Sequence, residues 1–311
     1  MQLFWRELAE GRRHQPLLKG SLRLLSHLYG LALRCRRGVP RRATVPVISI
    51  GNIAVGGTGK TPIVMTLAQQ LAPHRRIAVI SRGYRGGDEA RLMAQRLPDV
   101  AIYAGPDRPA LARAAIDEGA QLILLDDGMQ QRQLQVDRHI VALDGANPWG
   151  SDKLLPAGLL REPLTALQRA DLVIVTRSWT PDFETQLRRW TQAPWVAMAF
   201  EPTLNLAGKR LGALCAIGRP WQFFEMLEQQ GAQLIERLAL PDHATPSSRV
   251  LKAFIDRCHQ KGVDLLVCTE KDQVKLPAGA PFTANPIEPR PVHNAAHWDQ
   301  FVADLAQCIV N

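Results

Sequence analysis

At 311 residues the chain is long enough for one large or two ordinary domains, and 46% apolar content without repeats or low-complexity tracts excludes a disordered or fibrous protein. Cys35, Cys215, Cys258, Cys268 and Cys308 lie far apart with no CxxC spacing, which argues against a disulfide or zinc framework and for a reducing compartment. The net charge of +9 sits almost wholly in residues 1–43, where ten Lys or Arg stand against Glu7 and Glu10, whereas a nucleic-acid binder carries its charge across the fold.

Residues 17–33, LLKGSLRLLSHLYGLAL, place Leu18, Leu22, Leu25, Tyr29 and Leu33 near helical spacing, with Lys19, Arg23 and His27 among them. The stretch is too short and too charged to span a bilayer, which needs roughly 20 nearly uncharged residues. Arg23 and His27 also interrupt any signal-peptide core. Two readings remain open: a basic amphipathic helix lying on an anionic membrane face, or a helix packed on the domain's own core.

The next stretch is VISIGNIAVGGTGKTP, residues 47–62. A β-branched run, a glycine-rich turn and Gly59-Lys60-Thr61 opening a helix give the strand, loop, helix order of a phosphate-binding loop. Gly56, Gly57, Thr58 and Gly59 let backbone N–H groups converge on an anion, Lys60 reaches the outer phosphates, and the Thr61 hydroxyl suits Mg²⁺. Ala54 stands where the usual pattern begins with glycine.

A helix over 61–72 and a strand over 77–80 follow, the latter running into Ser81-Arg82-Gly83-Tyr84 and then Gly87-Asp88-Glu89. Further on, a strand at 101–103, a helix over 109–118 and the run Leu122-Ile123-Leu124-Leu125-Asp126-Asp127 continue the alternation. Apolar strands alternating with helices predict a mostly parallel sheet covered on both faces, with function at the carboxyl ends of its strands. Asp126 and Asp127, at such an end, suit Mg²⁺ or its waters; an ordinary turn is the plainer alternative. Strands at 139–143 and 172–176 bracket the loop KLLPAGLLREP, residues 153–163, which carries Arg161 and Glu162.

A second α/β series starts near residue 205, with LCAIGRP at 214–220, Pro241-Asp242-His243, a helix over 248–260, a strand at 265–269 and TEKDQVK at 269–275. The expected organisation is a basic N-terminal segment (1–43), a phosphate-loop domain (44–205) and a smaller α/β domain (206–311) closing over a substrate cleft. TEKDQVK reads as a strand-end loop without assigned chemistry.

In order and spacing these motifs resemble the tetraacyldisaccharide 4'-kinase family of the lipid A pathway. The resemblance runs through VPVISIGNIAVGGTGKTP, SRGY, GDE, DDGMQ, LLPAGLLREP, LCAIGRP, PDH and TEKDQVK, almost the whole length. It implies transfer of the ATP γ-phosphate, with Mg²⁺, to the 4'-hydroxyl of a tetraacylated glucosamine disaccharide 1-phosphate. The implied place is the cytoplasmic face of the inner membrane, as a peripheral protein on anionic lipid, with no nucleic acid and no obligate protein partner. The resemblance assigns phosphate binding to Lys60 and Thr61 and the metal side to Asp126 and Asp127. It places substrate or transition-state contacts at Glu89, Gln130, Arg161 and Glu162. It pairs Asp88 with His243 on the attacking hydroxyl, with Asp88 as base at the end of the nucleotide domain's second strand. Met129 and Gln131 replace a family phenylalanine and histidine, and the segment between SRGY and GDE is shorter than usual.

Without the resemblance, Asp88 reads as a helix cap and His243 as a turn residue. Two other functions compete: a regulatory or partitioning ATPase of the phosphate-loop class, and a membrane adaptor that uses nucleotide as a switch. Val55 stands where partitioning ATPases carry a lysine early in the loop, which counts against the first.

Overall fold

The computed structural model describes residues 16–35, 39–83, 87–218, 220–242 and 244–307. They fall into two compact units, one of 1–82, 97–200 and 289–311, the other of 83–96 and 201–288.

The larger unit begins with α1 (Pro16–Cys35). It continues through β1 (Val47–Gly51), α2 (Lys60–Leu71) and β2 (Ile77–Ser81). The next element, α3 (Asp88–Arg96), belongs to the smaller unit. The larger unit resumes with β3 (Ala101–Ala104), α4 (Arg108–Asp117), β4 (Leu122–Asp126), β5 (Arg138–Asp144) and β6 (Leu172–Thr176). After them come the short α5 (Phe183–Leu187) and β7 (Trp195–Pro202). The smaller unit contains β8 (Arg210–Cys215), α6 (Pro220–Gln229), β9 (Gln233–Ala239), α7 (Ser248–Gln260), β10 (Leu265–Cys268), α8 (Glu270–Gln273) and β11 (Thr283–Ala284). Strand β12 (Ile287–His293) and helix α9 (Ala295–Gln307) end the described chain.

The strands form an eight-stranded sheet of order β12-β7-β6-β5-β1-β4-β2-β3 and a four-stranded sheet of order β11-β10-β8-β9. From β3 through β7 every neighbouring pair is parallel, as are the pairs of the smaller sheet. Strands β1, β2, β4 and β6 are buried at every position, which is why they read as continuous apolar runs and not as alternating ones. The predicted parallel α/β fold is therefore the observed one.

Two assignments differ from the sequence reading. Helix α3, read within 44–205, packs in the smaller unit, and α9, read within 206–311, packs in the larger, where Trp298 donates to Gln70 Oε1 at 3.1 Å. The sequence reading also contains no strand at β9 or β12. Strand β9 carries Glu236 and Arg237 at a sheet edge, and β12 holds Pro289 and Pro291, which remove two ladder donors and suit only an edge.

Helix α1 packs on the larger unit along one side and exposes leucines along the other. On one side Ser26 Oγ donates to the Leu154 carbonyl at 2.8 Å, the Tyr29 hydroxyl donates to the Arg161 carbonyl at 2.9 Å, and Leu33 is buried. On the other, Leu24, Leu28 and Leu31 are more than half exposed at helical spacing. Among the described residues no helix is long and apolar enough to cross a membrane.

Candidate active site

The carboxyl end of β1 leads into the glycine-rich turn, and α2 starts directly at Lys60. Gly59 caps that helix in the left-handed region (φ 75°), and a Cβ there would stand 2.0 Å from Phe200 Cζ. The positive φ favours glycine, and any Cβ would have to displace the Phe200 ring. Strand pairing sets Ile50 beside Asp126, so the turn and the acidic pair begin at the same level of the sheet.

That register brings four of the expected residues together. The Thr61 hydroxyl donates to Asp126 Oδ2 at 3.2 Å, with both residues buried. Lys60 Nζ lies 3.5 Å from Asp127 Oδ1. Arg161, from the loop after β5, grips Asp127 with both branches of its guanidinium, Nη1 to Oδ1 at 2.9 Å and Nη2 to Oδ2 at 3.1 Å. Burial acts against a charged Asp127, yet Lys60, Arg161 and Arg108 outweigh it and hold the carboxyl down at about 2.

Asp127 itself adopts a left-handed backbone (φ 52°), a conformation Asp tolerates better than most residues but not without strain. The brace is Arg108 at the start of α4: 4% exposed, it donates through Nη2 to the carbonyls of Asp126 (2.8 Å) and Asp127 (3.0 Å). Sequence reasoning missed this residue. A buried arginine must be paired, but an Arg-Pro helix start reads as an ordinary surface feature until its partners are known.

Two more residues were missed. Asn52 is a buried hub: its amide donates to Thr58 Oγ1 at 3.3 Å, its Oδ1 accepts from Arg161 Nη1 at 3.1 Å, and its carbonyl accepts from Gln130 Nε2 at 2.8 Å. Gln130 is thus placed under the turn, with its Oε1 buried and lacking a partner among the described residues, a group that a ligand or water would satisfy. Arg177, just past β6 and itself left-handed (φ 66°), pairs with Asp144 and donates to the Gly57 carbonyl at 2.7 Å. Across a planar trans peptide the C=O and the next N–H point in opposite directions. Holding the Gly57 oxygen therefore aims the Thr58 N–H to the other side.

The remaining predicted residues lie elsewhere. Glu162 turns away from its neighbour Arg161, is buried, and pairs with Arg169. It lines a cavity of about 1100 Å³ between α1 and the 152–169 segment, with apolar walls including Leu31, Leu154 and Ala166 and a basic border. Asp88 and Glu89 open α3 in the smaller unit, not the nucleotide unit that the sequence reading gave them. Both lie within the helix's first turn, where acidic side chains favour the dipole. His243 lies outside the described residues.

The donors near the turn fit a small hard cation. Thr61 and Asp126 offer hydroxyl and carboxylate oxygens side by side, and Mg²⁺ takes few protein ligands when phosphates complete its shell. Asp127, with both oxygens held by Arg161, is the poorer ligand of the acidic pair.

Comparisons with known proteins bear on this geometry. The family model described as Tetraacyldisaccharide-1-P 4'-kinase matches residues 18–307. The tetraacyldisaccharide 4'-kinase of Pelobacter propionicus is 37% identical over 318 residues, covering 88% of each chain. That of Geobacter sulfurreducens is 34% identical and covers 94% of this chain and 96% of its own. Among solved structures, the "apo" form of LpxK from Aquifex aeolicus in complex with ATP is 27% identical, with a TM-score of 0.74 over 93% of this chain and 99% of that one.

Proposed function

The chain belongs to the tetraacyldisaccharide-1-P 4'-kinase family, and we propose that Lys60, the Thr61–Asp126 pair and Asp88 carry its chemistry. As a member it is an ATP-dependent lipid kinase, transferring the γ-phosphate to the 4'-hydroxyl of a tetraacylated glucosamine disaccharide 1-phosphate. The observation that carries the site reading is the convergence of Lys60, Thr61, Asp126 and Asp127 at one strand end.

Phosphoryl transfer asks a protein mainly to position groups and to offset charge on the transferring oxygens. The N–H groups of 56–59 and Lys60 hold the β- and γ-phosphates. Thr61 and Asp126 would hold Mg²⁺, which supplies charge neutralisation on the phosphate oxygens when bound. The 4'-oxygen attacks the γ-phosphorus, the new O–P bond forms as the bridge to the β-phosphate breaks, and ADP leaves with the bond's electron pair. The hydroxyl proton passes to the Asp88 carboxylate, oriented by His243. A base at hydrogen-bond distance from the hydroxyl contributes roughly 10²–10⁴-fold.

The cavity lined by Glu162 suits an acylated, phosphorylated ligand, since its walls are apolar and Arg23, Arg34, Lys153 and Arg169 stand around it. The exposed leucines of α1, among basic residues, would lie in the interface of an anionic bilayer, which supports a peripheral association with the inner membrane's cytoplasmic face. Co-sedimentation with phosphatidylglycerol vesicles should drop for a Leu24→Glu/Leu28→Glu double variant. Equal sedimentation would overturn the membrane assignment.

The test of function is transfer of ³²P from γ-labelled ATP to a tetraacyl-disaccharide 1-phosphate in mixed micelles with Mg²⁺. Labelled lipid from the natural chain should fall by about 10³-fold or more in Lys60→Ala and by roughly 10²–10⁴-fold in Asp88→Ala. Hydrolysis of ATP without labelled lipid would favour a switch or partitioning ATPase instead.

A further inference from the structure

The segment TEKDQVK, 269–275, has no place in the chemistry above, yet it carries a buried charged cluster in the smaller unit. Thr269 caps α8, and Asp272, 2% exposed, accepts hydrogen bonds through Oδ2 from the Ala216 N–H (2.9 Å) and the Thr269 hydroxyl (2.6 Å). Its other oxygen receives Lys275 Nζ at 3.1 Å. The Lys275 side chain is only 5% exposed, and its ammonium also stands 3.7 Å from Asp88 Oδ2.

One turn earlier on the same segment, Lys271 Nζ meets Glu89 Oε1 at 2.5 Å, and Arg96, at the far end of α3, faces Glu270 at 3.5 Å. The two acids of Gly-Asp-Glu and the two lysines of TEKDQVK are thus matched crosswise, the first acid with the second lysine and the second acid with the first. These contacts explain why α3 packs in this unit although its chain neighbours on both sides lie in the other. The pairs are not equivalent. Lys271 and Glu89 are each more than a third exposed and screened by solvent, whereas Lys275 is buried between two carboxylates. A buried ammonium is retained only where such partners fix it.

We propose that Lys275 is a positioning residue of the kinase: anchored on Asp272, its ammonium holds the Asp88 carboxylate in place at the start of α3. The proposal rests on Asp88 as the base. Lys275 touches neither substrate nor reacting atoms in this role, and acts through Asp88 alone.

A double-mutant cycle on kcat tests it, using Lys275→Met, Asp88→Asn and the two combined in the full chain, with ³²P transfer and ATP binding as readouts. Lys275→Met should lower kcat roughly 10–100-fold with KM for ATP changed less than about twofold, and should cost nothing further once Asp88 is Asn. Lys275→Arg, which keeps the charge, should retain at least about a third of kcat; a loss as deep as that of Lys275→Met would overturn the proposal. So would multiplying effects of the two substitutions, full kcat in Lys275→Met, or a loss confined to KM for the lipid. Thermal unfolding of each variant separates packing from positioning, because a merely structural lysine would matter equally in both backgrounds. If Asp88→Asn itself transfers phosphate normally, the assignment of the base has failed; if Asp88→Asn is inactive while Lys275→Met is not, only the role of Lys275 has.

Discussion

Two acidic pairs are treated in opposite ways by this chain. Asp126-Asp127 ends a buried central strand, and its cations come from one unit: Lys60, Arg108 and Arg161, with the Thr61 hydroxyl closing the set. Asp88-Glu89 opens a nine-residue helix and is held by two lysines of one segment in the smaller unit. The first pair is over-determined, with every oxygen of Asp127 committed and its backbone strained. The second is clamped lightly at one acid and firmly at the other. The Asp127 carboxylate, held by Lys60 and Arg161 over a backbone braced by Arg108, is suited to keeping a phosphate loop in shape.

The largest expected effect falls on the frame of the first region. Gly59→Val must put a branched side chain where a Cβ already meets Phe200 and where φ is positive, so urea unfolding should show a loss of about 2–5 kcal/mol together with lost ATP binding. Retained stability would mean the turn relaxes, and that the first region is less rigid than described. Next is Asp127. Its carboxyl lies at about 2 in the folded chain against 3.8 ordinarily, so it contributes on the order of 2 kcal/mol that is fully present above pH ~4 and lost as pH falls through about 2. Stability measured from pH 5 to pH 2 should therefore fall less steeply in Asp127→Asn than in the parent chain.

Arg177→Met tests whether the loop's peptide orientation matters apart from charge. Because the Gly57 carbonyl would lose its donor, ATP and ADP should both bind about tenfold more weakly, about 1.4 kcal/mol, with kcat retained. A defect for ATP but not ADP would instead mean direct contact with the γ-phosphate. The smallest effect belongs to the exposed half of the second region. Lys271→Gln should change stability by no more than about 0.5–1 kcal/mol, since that pair is screened by solvent. A loss larger than this would show that both halves of the clamp are structural.

Much of the first region was legible because its signals are local. The strand, turn and helix of 47–71 are contiguous, the apolar run into Asp126 announces a central strand, and Thr61, Asp126, Lys60 and Asp127 do meet. Arg161, expected as a substrate contact, grips Asp127 instead, and its neighbour Glu162 pairs with Arg169. Arg108, Asn52 and Arg177 were invisible as site residues, since nothing in a single arginine or asparagine distinguishes a brace from a solvated side chain.

The sequence by itself determined the parallel α/β fold, the phosphate loop and the family, because strand burial, helical period and glycine turns are written within short windows. Tertiary structure alone decided which unit owns α3, which cations hold each acid, and that TEKDQVK grips Gly-Asp-Glu across 182 residues. Any lysine can pair with any carboxylate, so such a contact has no sequence period to betray it. Only the fold, by closing so long a loop and burying one partner, selects which pair forms.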